Sequence, residues 1–234
     1  TNFNFAYNNN KVLKEALRED ALEPGREGYP AGALFALKTA GLDEEGYPMF
    51  QDKDGKAVSA MEFFKLQEWG FGATDLTARE RRELYTCVGT ADCPYTGGFN
   101  NTFTYKAFEL GVNFSFDFGG KVRSQPTYSI VEFDKGRNTN RDILNRWTPE
   151  NTETIFPVLL SQNERLDEYM WYSNQNEIYR NLDIWIRDLN YVRLQNIRLG
   201  YTLPTNFTRT LGMTSATVAI EGRNLLVFGS SYKN

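Results

Sequence analysis

The side chains that could do chemistry in this chain are acidic, thiol and aromatic, because it contains no histidine. That absence removes Ser-His-Asp and Cys-His catalysis and the commonest zinc ligand. Asp52-Lys53-Asp54-Gly55 holds the D-x-D-G core of a calcium loop. A full loop needs an acidic residue where Phe50 stands, so the stretch reads as a turn rather than a metal site. Asp43, Glu44 and Glu45 are adjacent carboxylates. Glycoside hydrolysis needs two carboxylates at a defined separation, which neighbours in a Gly-flanked turn do not fix. Cys87 and Cys93 bracket a loop-like segment, CVGTADC. They form a small disulfide in an oxidising compartment or stand as two thiols. No catalytic residue, metal or cofactor is expected.

Aromatic side chains in the long connections are better candidates for contact. Trp69, Phe71 and Tyr85 lie in one insertion, and Trp147, Trp171 and Tyr172 in another. Their faces suit sugar rings and protein partners alike, or they pack the loops that carry them.

These residues hang from strands, and the clearest strand is Phe108 to Phe118, FELGVNFSFDF. Phe108, Leu110, Val112, Phe114, Phe116 and Phe118 fall on one face, and Glu109, Gly111, Asn113, Ser115 and Asp117 on the other. A usual strand has about 5–6 residues, whereas a tilted strand crossing a bilayer needs about 9–11. The apolar face therefore looks into a protein core or into lipid. Alternation alone does not choose between them.

Further strands are expected at 2–8, 98–105, 191–203 and 216–228. Lys106-Ala107 offers a tight turn. Ser59 with Glu62, Thr77 with Glu80 and Ser161 with Glu164 have capping-box spacing and predict short helices, the last running through Trp171. The connections alternate in length: long at 52–96, short at 106–107, long at 120–182, moderate at 204–214. Outer-membrane barrels alternate in this way. Mean hydropathy is −0.53, which in a barrel reflects lumen-facing residues at every second position. No run reaches the roughly 18 apolar residues of a membrane helix. Net charge is −4 with scattered basic residues, so nucleic acid is not an expected partner. The chain starts and stops beside strands without a leader, and both ends read as cuts inside a longer protein.

Two segments resemble a known family. Pro94 to Val122 contains GG-x-x-N-x-x-x-Y-K (Gly97 to Lys106) turning into the Phe-rich strand. Tyr191 to Pro204 reads YVRLQNIRLGYTLP and is followed by a strand containing G-x-N-L (Gly222 to Leu225), with Leu226 where Phe is usual. Both resemble the C-terminal barrel region of SusC/RagA-type TonB-dependent outer-membrane transporters. Gly41 to Lys56 also resembles the family's G-x-P-x-F…D-x-D-G loop. The family's plug and last strand have no counterpart here.

The resemblance implies an all-β fold, part of a transmembrane antiparallel barrel of about 22 strands, spanning residues 1–234. It implies that 52–96 and 120–182 are extracellular loops and 106–107 and 204–214 periplasmic turns. Phe108 to Phe118 would present its apolar stripe to lipid. The implied partners are a SusD-like surface lipoprotein lid, the plug and remaining barrel, the TonB complex and outer-membrane lipid. The ligand would be an oligosaccharide or a peptide. The alternative is a soluble or surface-exposed β-rich carbohydrate-binding module, and the discriminator is whether a core covers the Phe face.

Overall fold

The computed structural model describes residues 1–70, 73–124, 136–138, 140–159 and 180–229. Ten strands are numbered in chain order: β1 (Asn2–Tyr7), β2 (Ala33–Ala36), β3 (Thr39–Leu42), β4 (Pro48–Gln51), β5 (Ala57–Val58), β6 (Thr86–Thr90), β7 (Tyr95–Tyr105), β8 (Phe108–Arg123), β9 (Ile186–Thr202) and β10 (Thr217–Phe228). Among the described residues the numbered α-helices are α1 (Ala60–Phe63), α2 (Ala78–Glu83) and α3 (Thr205–Thr210). The chain divides into two compact units. One comprises Thr1–Asn10, Thr90–Val122 and Arg187–Asn234, and the other Lys11–Gly89 and Arg123–Ile186.

The first unit is one sheet in the order β1-β7-β8-β9-β10. β7 and β8 pair antiparallel without a break from Tyr95↔Phe118 to Tyr105↔Phe108. Lys106 takes φ 53°, the positive φ that a two-residue hairpin turn needs at its first central residue. Register puts Phe3, Phe5 and Tyr7 of β1 opposite Phe99, Gly97 and Tyr95. These in turn face Phe114, Phe116 and Phe118. One side of the sheet is thus aromatic over three strands.

Gly97 is central to this. A Cβ there would overlap the Phe116 ring and the Asn4 carbonyl. Without one, Phe116 reaches across β7 to stack on Phe3 and Phe5 at centroid distances of 6.2 and 6.5 Å.

No residue of this sheet belongs to a hydrophobic core. Every fully buried hydrophobic side chain among the described residues lies in the other unit. Val218 and Ile220 on β10 are 60% and 77% exposed. Ten residue steps separate Tyr95 from Tyr105, about 33 Å of strand and about 25 Å of height at a tilt near 40°, the height of an outer-membrane barrel's apolar band. β8 and β9 continue past Phe118 into polar sequence, where Lys121 pairs with Asp188 and the Gly119 N–H donates to Asn190 at 2.7 Å.

The second unit consists of the two long connections folded together. β2 pairs with β6, and β3-β4-β5 form a small sheet. Their shared core contains Leu37, Phe50, Phe63, Phe64, Leu66, Leu182 and Trp185. Phe50, Phe63 and Phe64 pack as a ring triad at 4.8–5.1 Å. Asp183 joins the two segments by accepting from the Thr39 N–H and hydroxyl, the latter at 2.6 Å.

The connections differ from the spans expected. The first occupies everything between β1 and β7, not 52–96, because β2 to β5 pair within the second unit rather than with the large sheet. The second starts only after Arg123 and ends before Ile186, because β8 and β9 run on beyond the expected strand ends. Ser59 accepts from the Glu62 N–H to cap α1, and Thr77 with Glu80 forms a full capping box on α2. The Ser161–Glu164 helix lies outside the described residues. Within 204–214, expected as a plain connection, the chain forms α3.

Candidate lumen wall and loop unit

The face of the sheet opposite the aromatics is polar. It forms a hollow of about 600 Å³ lined by Asn4, Thr96, Asn100, Asn113, Ser115, Asp117, Tyr191, Arg193 and Gln195, among others. Gln195 Nε2 donates to Ser115 Oγ at 2.9 Å. Arg193 stands 5.3 Å over the Tyr191 ring. Further along, Arg198 Nη1 pairs with Glu109 Oε1 at 2.9 Å, and Asn196 donates to Glu221 at 2.7 Å. Asn100 Oδ1 is shut off from solvent without a donor. Alternation on one strand side explains most of this set.

Gln195 and Arg198 differ in parity yet reach the same face of β8. The alternation of β9 therefore slips by one between them, level with a bulge in β10 between Arg223 and Leu226. Asn224 sits in that bulge at φ 51°, and Gly222 leaves the space that Leu225 fills. The G-x-N-L motif is thus a bulge: asparagine tolerates the positive φ and glycine admits the leucine.

The GG-x-x-N motif divides between the two faces. Gly97 lies under the Phe116 ring, while a Cβ at Gly98 would meet Asn4 and the Phe114 carbonyl. Asn101 sits opposite Val112, on the aromatic side, where Thr1 Oγ1 donates to its Oδ1 at 2.7 Å. This pairing satisfies an amide in the middle of an apolar face.

The acidic clusters are turns. Asp43 Oδ1 accepts from the Glu45 and Tyr47 N–H groups at 2.9 and 2.8 Å. Asp52 Oδ1 accepts from Asp54 and Lys56 at 3.0 and 2.8 Å. Among the described residues no group of His, Cys, Asp and Glu is placed to hold a metal. Of the two states open to Cys87 and Cys93, the structure holds free thiols. Cys93 lies against the Leu189 carbonyl, and burial, aided by the Asp117 carboxylate, pushes its thiol above the ordinary range. It is therefore a poor nucleophile at neutral pH.

The loop aromatics do not form one platform. Trp147 lies flat over Gly46, whose positive φ and missing Cβ admit the ring. Tyr85 packs against the unit's core, and its hydroxyl accepts from Asn181 at 3.4 Å. Trp69 is 73% exposed. Phe71, Trp171 and Tyr172 lie outside the described residues.

No protein-family model matches the chain. A TonB-dependent receptor of Formosa agariphila, P3, is 27% identical over 97% of the chain. A second, P39, is 24% identical over 91%. The structure superposes on the RagAB peptide transporter with a TM-score of 0.61 at 20% identity, over 90% of this chain and 20% of that one. An open-state RagAB importer gives 0.59 at 22% identity. The chain is similar over most of its length to SusC/RagA-type TonB-dependent receptors. It spans about a fifth of their length, 22% and 23% for P3 and P39. The motif resemblance at Gly97–Lys106 and Tyr191–Pro204 is borne out by these matches. The fold is part of a transmembrane antiparallel barrel, and its location is the outer membrane. Among the described residues no helix is long and apolar enough to cross a bilayer.

Proposed function

We propose that this chain supplies barrel wall and an extracellular loop unit to an active outer-membrane importer. The observation that carries the reading is the large sheet, aromatic and uncovered on one face over a bilayer's height, polar and hollowed on the other. Phe108, Leu110, Val112, Phe114, Phe116 and Phe118 contact lipid. Glu109, Asn113 and Asp117 line the lumen. Both long connections leave the same end of the sheet, which is the extracellular end, and 106–107 and 204–214 are periplasmic turns.

A SusD-like lipoprotein closes over the loop unit as a lid, and the TonB complex drives entry through the rest of the protein. The ligand is an oligosaccharide or a peptide. The names of the RagAB neighbours support peptides, as those proteins are peptide transporters. Exposed Trp69 is the described aromatic best presented to a ligand or lid. Phe71, Trp171 and Tyr172 stay candidates, while Tyr85 and Trp147 hold the unit together. The protein is not an enzyme, a reading its transporter-like relatives support.

The test is recovery of the full-length receptor from membranes in mild detergent, followed by mass spectrometry of co-purifying proteins and bound ligand. A surface lipoprotein in stoichiometric amount with bound peptide or glycan is expected. A receptor that purifies alone, and whose deletion leaves growth on both peptides and glycans unchanged, refutes the importer reading.

A further inference from the structure

The connection between β9 and β10 carries apolar side chains that the sheet does not use. α3 places Phe207 and Leu211 four residues apart, on one helical face. They are 55% and 56% exposed, and Met213 follows, also exposed. Thr208, on another side of the helix, is fully buried, with its hydroxyl donating to the Thr205 carbonyl at 3.2 Å. The helix is thus held by its threonine side and shows its apolar side outward. The Met213 N–H returns to the Thr208 carbonyl at 3.0 Å, keeping Met213 next to the helix.

Position tells what covers this patch. α3 begins three residues after the end of β9, beyond Tyr201, which meets Phe108 at 4.7 Å. Tyr105 stands on the same face opposite Phe108, with Lys106 5.4 Å over its ring. Such aromatic and lysine pairs mark the boundary between apolar band and water. On the polar face, the nearby strand ends carry Glu109, Arg198 and Glu221, already engaged in charged pairs. A Phe-Leu-Met patch has no chemistry in common with that side. Leu199, Val218 and Ile220, exposed on the neighbouring strands, share its chemistry.

We infer that α3 is an interfacial anchor: its Phe207–Leu211–Met213 side lies in the headgroup–acyl boundary of the leaflet at the short-turn end of the barrel. Large apolar residues on one side of a helix suit the headgroup–acyl boundary, and here the adjoining strands fix the depth. The anchor holds the β9–β10 connection against the membrane. The inference rests on the lipid-facing reading of the sheet.

The test uses the whole receptor, with its cysteines replaced by alanine, in phospholipid nanodiscs. A nitroxide is attached at Leu211→Cys or Met213→Cys, and at Ile220→Cys as a control on the apolar face. Collisional relaxation by oxygen, which partitions into lipid, and by a polar nickel chelate, which does not, is then compared. At 211 and 213 the ratio should shift toward oxygen, in the same sense as at 220. A ratio favouring the nickel chelate at 211 and 213 places the helix in water or in the lumen. Exclusion of both reagents places it under protein. Either result overturns the anchor while 220 remains lipid-exposed. If 220 also favours the nickel chelate, the lipid-facing reading fails with it.

Discussion

Replacing Phe114 by arginine tests the membrane assignment at one position. Phe114 is four steps from Phe118 and six from Phe108 along β8. At about 3.3 Å per residue and a tilt near 40°, it lies about 10 Å from one aromatic boundary and about 15 Å from the other, close to the midplane. Arginine facing lipid at that depth costs about 2–4 kcal/mol in an outer-membrane barrel, falling to about 0–1 near the boundaries. The penalty should thus lower the folding equilibrium by about 30- to 700-fold at about 1.4 kcal/mol per decade. Phe114→Ala separates out the loss of the ring itself opposite Phe99. Phe118→Arg gives the boundary value, and Ser115→Arg places the same charge one residue away on the polar face. The assay is denaturant-dependent refolding of the full receptor into lipid vesicles, followed by the shift in electrophoretic mobility between folded and unfolded barrels. The expected order of cost is Phe114→Arg well above Phe118→Arg, with Ser115→Arg smallest. A profile in which Ser115→Arg costs as much as Phe114→Arg would refute the assignment of faces.

Gly97→Val should destabilise the sheet by about 1–3 kcal/mol through overlap with Phe116. Gly111→Ala, whose Cβ would find its nearest neighbour at 4.0 Å, should be tolerated; thermal unfolding of the two variants makes the comparison. Thr77→Ala should cost about 1 kcal/mol of local stability, read as faster amide exchange over residues 78–83. The Glu80 carboxyl is held below its ordinary range, first by the Thr77 backbone N–H and then by the Thr77 hydroxyl. Its share of the cap is therefore present above the unfolded carboxylate range and lost as pH falls through the lower folded value. Protection at 78–83, taken relative to the intrinsic exchange rate at each pH, should fall on acidification in the wild type and much less in Glu80→Gln. Gly46→Val should displace the Trp147 ring and red-shift tryptophan emission; an unchanged spectrum would contradict the packing at Gly46.

What could be read from the sequence was local. The Phe108–Phe118 faces, the Lys106-Ala107 turn and the Thr77–Glu80 cap depend on residues within a few positions of one another. Strand periodicity and capping chemistry carry that information. The loop unit was not legible, because Phe50 and Trp185 meet from segments separated by two strands of the large sheet. No periodicity encodes such a partnership. Tyr85 and Trp147 became packing residues for the same reason: the Trp147 site exists only because Gly46, a hundred residues earlier, takes a positive φ. The hollow was partly legible, as Asn113 and Asp117 follow from alternation. Arg193 and Gln195 join them only through the slip in β9, which Asn224 and Gly222 hinted at as a bulge signature.

The split core of the loop unit also has a temporal consequence. Phe50, Phe63 and Phe64 are synthesised more than a hundred residues before Leu182 and Trp185. The hairpin β7–β8 must be made in between. Until the later segment arrives, the earlier one has an aromatic triad whose core lacks Leu182 and Trp185, a partly open state prone to aggregation. Closing so long a loop is also entropically slow compared with forming the two-residue turn at Lys106-Ala107. Folding should therefore complete the β7–β8 hairpin first and the loop unit last.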